Sequence, residues 1–99
     1  MIKATILKSN EAIKGFKIEN HGDPIVCSAV SFLSQCTINS IEEFTDCPFS
    51  LDMDEDGGYL EFGIENCENK DAQLLLKSLV LGLECLEIDY KDEIVLAYK

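Results

Sequence analysis

A chain of 99 residues, 46% of them hydrophobic, is long enough to bury one core and too short for a second. Its formal net charge is −11, and all eight of its cationic side chains are lysine. The basic, arginine-bearing stripe that phosphates and base edges require is therefore missing, so no direct nucleic-acid binding is expected.

Alternation of Ile2, Ala4 and Ile6 with polar neighbours predicts a first strand, and Ile13 to Asn20 a second, joined through the turn Ser9-Asn10-Glu11-Ala12 as a hairpin. From Ile25 to about Phe44 the residues Val26, Val30, Leu33, Ile41 and Phe44 recur at helical spacing, and Thr45 to Pro48 ends that helix. Phe49 to Asp54 and Tyr59 to Ile64 flank Glu55-Asp56-Gly57-Gly58, where Asp-Gly suits a tight turn needing positive φ. Asn69 to Tyr90 reads as a long helix, capped at Asn69 or Asp71. Its apolar residues Leu74, Leu75, Leu76, Leu79, Val80, Leu81, Leu83 and Leu86 cover more than one face. Such a helix is buried on two sides, one against the sheet and the other against a second subunit, so a homodimer is expected. Asp92 to Lys99 closes the chain as a strand. The order is ββαββαβ: one α+β domain over residues 1–99, with a mixed or antiparallel sheet and two main helices.

Charge is spread unevenly. Residues 1–41 carry four lysines against Glu11, Glu19 and Asp23, a net of about +1, whereas residues 42–99 carry four lysines against sixteen acids, about −12. The acidic part repels polyanions and attracts a basic partner, or simply keeps the chain soluble. The segment Met1 to Ser9 has no basic region followed by an apolar run and a cleavage site, and no apolar run approaches a membrane span, so a cytoplasmic protein without a membrane partner is expected. Five cysteines, an odd number without regular spacing, predict reduced thiols. With one histidine and no Cys-x-x-Cys, neither a metal nor another cofactor is expected.

Two places invite chemistry. Asp52, Asp54, Asp56 and Gly57 follow the start of a calcium loop, but the twelfth position, where a bidentate Glu belongs, is Gly63, and the flanks read as strands; a solvated turn is the better reading. Cys36 and Cys85 sit in helical patterns beside apolar residues, as small hydrophobes do, and Cys47 and Cys67 lie at element ends. Cys27 has a different setting. Asp23 suits a helix N-cap and Pro24 the first helical position, which puts Cys27 in the first turn, where the helix terminus favours thiolate over thiol. His21 ends the preceding strand, and a tight reversal at Gly22 and Asp23 brings its imidazole towards the sulfur, as in a Cys-His dyad. Cys27 would then attack a carbonyl while His21 holds the ion pair and protonates the leaving amine. Amides near Cys27 and Ser28 would steady the oxyanion, and Ser31, one turn on, would hydrogen-bond into the site. The plainer reading, a solvated turn histidine and a buried helix cysteine, stands beside it on spacing alone.

At these residues the chain resembles the ribosomal-processing cysteine proteases of the bacterial Prp family. The likeness runs through "MIKATI", the strand ending in His21, "IVCSAVS" from Ile25 to Ser31, "NSIEEF" from Asn39 to Phe44, the "DGGYL" hairpin and "AQLLLKSLVLGLECL" in the last helix. The specific part is "IVCSAVS" after an upstream histidine. The resemblance implies a small α+β homodimer whose Cys-His pair removes the N-terminal extension of a large-subunit ribosomal protein, the twenty-seventh in the naming series. Cys27 matches the family nucleophile, His21 its partner and Ser31 the serine one turn later. The chain departs from the pattern between them. Family members carry a longer, Gly-containing loop there, against five residues, Gly22 to Val26, here; the aspartate three residues before the cysteine is replaced by Pro24, with Asp23 one position earlier. The alternative this raises is a catalytically impaired dimeric module that binds a basic ribosomal peptide without cutting it.

Overall fold

The computed structural model describes residues 1–99. Seven elements follow the predicted order: β1 (Ile2–Ser9), β2 (Ala12–Glu19), α1 (Pro24–Phe44), β3 (Phe49–Met53), β4 (Tyr59–Ile64), α2 (Lys70–Asp89) and β5 (Ile94–Tyr98). They build a five-stranded sheet in the order β3-β4-β2-β1-β5. β5 runs parallel to β1 and every other pairing is antiparallel, so the sheet is mixed.

Period-2 alternation sets which face is buried. Ile2, Ala4 and Ile6 of β1, Phe16 of β2, Phe62 and Ile64 of β4 and Ile94 of β5 point into one core, with Phe16 and Phe62 in tilted contact at 5.4 Å between ring centroids. The helices close that core with Val26, Val30, Ile38 and Ile41 from α1 and Ala72, Leu76, Leu79 and Leu83 from α2. They cross closely at Gly82, where an added Cβ would sit 2.7 Å from Leu33 Cδ2.

The caps follow from the residues at each helix start. The Asp23 carboxylate accepts from Ile25 N at 2.9 Å and Val26 N at 3.4 Å with Pro24 as the first helical residue, and Asn69 Oδ1 accepts from Ala72 N at 2.9 Å. At the end of α1 the Thr45 hydroxyl donates to Ile41 O at 2.7 Å and accepts from Cys47 N at 3.1 Å. α2 is also tied to the sheet by side chains. Gln73 accepts from Ile13 N at 2.9 Å and donates to Ile13 O at 2.7 Å, filling ladder positions beyond the last β2–β4 pair, and Glu87 accepts from Leu96 N at 2.6 Å.

Three expectations change. Cys36 and Cys85 are exposed and do not act as small core hydrophobes; of the helix and element-end cysteines only Cys47 is buried. Phe44 is exposed too, because it falls in the last turn of α1, past the reach of the sheet. And α1 is long and apolar enough, by length and composition, to cross a membrane, although the sequence reading found no such run. Its Val26, Val30, Ile38 and Ile41 are spent on the core of this fold.

Candidate active site

The site forms where β2 gives way to α1. β2 ends at Glu19, and Asn20 turns the chain with φ 71° while its amide donates to Gly58 O at 3.0 Å, pinning the strand end to the β3–β4 turn. His21 follows, exposed, with its imidazole over that turn. A Cβ on Gly58 would lie 3.2 Å from His21 Nε2, and one on Gly57 would lie 3.9 Å from Cε1. Gly58 leaves the space the ring occupies, while Gly57, at φ 79°, makes the turn.

Cys27 lies in the first turn of α1 as expected, its amide donating to Asp23 O at 2.8 Å. The half-buried thiol meets the backbone of the reversal: Gly22 N donates to Sγ at 3.3 Å, and Sγ lies 3.8 Å from Gly22 O. His21 and Cys27 are thus brought to one chain reversal, but no hydrogen bond joins them.

The remaining site residues divide. Asp23 is engaged as the cap and does not orient His21. The Cys27 amide is taken by Asp23 O, so it is not a free oxyanion donor; Ser28 is exposed and lines no cavity at the thiol. Ser31 lines a small cavity of about 20 Å³ beside Cys27, and with Ile18, Val30 and Gly57 it also lines a cleft of about 80 Å³ between α1 and the β3–β4 hairpin. Ile18, Val30, Met53 and Leu60 make that cleft largely apolar.

Two residues of the site escaped the sequence reading. Gly22 supplies the amide that donates to the sulfur, a role with no local signature beyond a glycine after a strand. Ser34 lines the cleft with a hydroxyl that is buried and unpartnered. Its sequence signal is faint: a serine one turn below Ser31, on the buried side of α1.

Residues 1–95 match the sequence profile of the family described as cysteine protease Prp. The chain belongs to the Prp family of cysteine proteases. Among its Prp relatives, the ribosomal processing cysteine protease of Bacillus subtilis (strain 168) is 31% identical over 105 aligned positions, which cover 95% of this chain and 94% of that protein. The corresponding Staphylococcus aureus (strain Mu50) protein is 29% identical over 79 positions, covering 80% of this chain and 74% of its own length. In solved structures the same Prp fold recurs. The essential ribosomal processing protease of S. aureus, in complex with a covalently linked product peptide, superposes with a TM-score of 0.94 at 26% identity, all of both chains being covered. SMU.848 from Streptococcus mutans gives 0.90 at 32% identity, over 99% of this chain and 96% of that one.

Proposed function

We propose that this Prp-family protein is the endopeptidase that removes the N-terminal extension of a large-subunit ribosomal protein, the twenty-seventh in the naming series, through Cys27 and His21. One observation carries the reading: a thiol in the first turn of α1, held by the Gly22 amide, lines a small cavity that shares Ile18, Val30, Ser31 and Gly57 with an apolar cleft of about 80 Å³. Relatives named for ribosomal processing, one of them solved with a covalently linked product peptide, support the substrate class. In the reaction the Cys27 proton passes to His21 and the thiolate adds to the scissile carbonyl. Collapse of the adduct breaks the C–N bond, His21 gives its proton to the departing amine, and water then releases the acyl group from sulfur. Sixteen acids after residue 41 suit a basic substrate.

A second reading has its own observation. Thiol and imidazole share no hydrogen bond in the free chain, which favours a module that holds the ribosomal peptide uncut. Incubation with the ribosomal precursor separates the two. Cleavage by the natural protein, lost in Cys27→Ala with fold and peptide binding retained, is the expected result. Binding without cleavage in the natural protein selects the module, and cleavage by Cys27→Ala moves the nucleophile elsewhere.

The working unit in this reading is a cytoplasmic homodimer joined through the helix layer. Ile25 and Phe32 on α1, and Leu74, Leu81 and Ile88 on α2, recur at seven-residue steps and are all exposed. These stripes sit on helices whose other faces fill the core, and a second copy of the chain is the surface that would cover them. Sedimentation at twice the chain mass, falling to the single-chain 11.0 kDa in Leu81→Glu, is the expected behaviour. A natural protein that sediments at 11.0 kDa removes the dimer.

A further inference from the structure

The acidic β3–β4 turn is the surface on which the only histidine of the chain rests. The point where Gly58 would carry a Cβ lies 3.2 Å from His21 Nε2 and 3.3 Å from Asp56 Oδ1, so ring nitrogen and carboxylate oxygen flank one spot. Both groups are held there by backbone. Asp56 Oδ1 accepts from Gly58 N at 2.9 Å, and Gly58 O accepts from Asn20 N, the residue before His21, at 3.0 Å. Gly57 N donates to Asp54 O at 3.1 Å and closes the turn. Asp23, the carboxylate nearer in sequence, spends Oδ1 on two helix amides.

We propose that Asp56 is the positioning residue of His21. This rests on the reading of Cys27 and His21 as a working pair. In the free chain the carboxylate and the ring do not touch. When Cys27 gives its proton to the imidazole at Nδ1, the ring becomes a cation whose Nε2–H meets the Asp56 carboxylate, and hydrogen bonds of this kind tighten in the reacting complex. Nδ1 is left to serve the sulfur and then to release its proton to the departing amine. The turn thereby does for His21 what a third group does in other Cys-His sites: it fixes which nitrogen faces the nucleophile. Gly58 follows from the same arrangement, since a side chain there would enter the space between ring and carboxylate.

The test compares Cys27 alkylation by iodoacetamide, quantified at each of the five cysteines by mass spectrometry, with the kinetics of precursor cleavage. Four full-length proteins are needed besides the natural one: His21→Ala, Asp56→Asn, Asp56→Glu and, as a charge control on the same turn, Asp54→Asn. Asparagine keeps an oxygen for Gly58 N, so the turn survives while the charge is lost. Asp56→Asn is expected to slow Cys27 alkylation and lower kcat by about fivefold each, the rate equivalent of one exposed charge pair, with KM unchanged. Asp56→Glu restores part of both, and Asp54→Asn changes neither. Natural rates in Asp56→Asn, while His21→Ala slows alkylation, overturn the role of Asp56 and leave the dyad standing. Alkylation indifferent to His21→Ala removes the dyad and, with it, anything for Asp56 to position. Equal losses in Asp54→Asn and Asp56→Asn assign the effect to the field of the whole turn and overturn the proposal.

Discussion

At the scale of the residue, Gly22 is the most constrained position of the site. Its amide donates to Cys27 Sγ at 3.3 Å, and a Cβ there would lie 3.1 Å from Ile2 Cγ1 and 3.5 Å from Glu93 O. Ile2 is a core residue of β1, able to yield only a few tenths of an ångström in a packed interior. Most of the adjustment to a methyl group therefore falls on the reversal itself, and the amide swings off the sulfur. Gly22→Ala is expected to cut kcat/KM for precursor cleavage by about tenfold, the worth of a hydrogen bond to a charged group. Its Tm should move by only a few degrees, because the adjustment stays within the reversal and leaves the core packed. Steady-state kinetics beside a thermal melt check both halves. A variant with natural kcat/KM would mean that the thiolate does not depend on this amide. Ser34 poses the opposite case: its buried hydroxyl has no partner in the chain, a position that costs stability unless something entering the cleft supplies one.

At the scale of the element, α2 acts as a strap across the sheet. Gln73 reaches β2, Glu87 reaches the backbone of β5, and Glu84 accepts from the Tyr98 phenol at 2.6 Å. That hydrogen bond, with lesser help from burial and the Glu84 charge, pushes the Tyr98 phenol up from 10.0 to about 12. The folded state thus holds this proton longer than the unfolded chain does. Its contribution to stability is complete below pH 10 and is lost as pH rises from 10 to about 12. Absorbance titration of phenolate, with Tyr98→Phe to assign the signal, should find the Tyr98 midpoint in Glu84→Ala back near 10; an unchanged midpoint would detach Tyr98 from Glu84. How much of this the chain announces depends on range. Strands, helices and both caps were legible, because period 2, period 3.6 and Asp-Pro or Asn at a helix start are local patterns. The parallel pairing of β5 with β1 was not, since it depends on where α2 lands. Nor was the exposure of Cys36, Cys85 and Phe44: helical spacing marks an apolar stripe without saying whether this chain covers it. The site divides in the same way. Cys27 and its cap were readable from "DPIVC", whereas the donor at Gly22 and the seat of His21 on Gly57 and Gly58 arise from contacts across the fold.

At the scale of the molecule, the net charge of −11 acts on stability and on association with opposite signs. Like charges crowded on a small fold repel one another, which destabilises the compact state, and the same field draws in a basic peptide. Both effects act through solvent and both are screened by salt, with a Debye length of about 10 Å at 0.1 M. The 19 acids are opposed by only eight lysines, and the one ion pair in the structure, Lys17 with Glu19 at 3.8 Å, lies at the surface. Screening therefore removes more repulsion than attraction within the chain. Raising sodium chloride from about 0.02 M to about 0.5 M is expected to raise Tm. Over the same range KM for the basic precursor should rise by about tenfold with kcat little changed, since attraction governs encounter more than the step at sulfur. A precursor peptide with its lysines replaced by glutamine separates the terms: its KM should be insensitive to salt while the rise in Tm, which belongs to the protein alone, remains. If KM for the basic peptide is equally insensitive, the acidic surface serves solubility, and recognition passes to the apolar cleft beside Cys27.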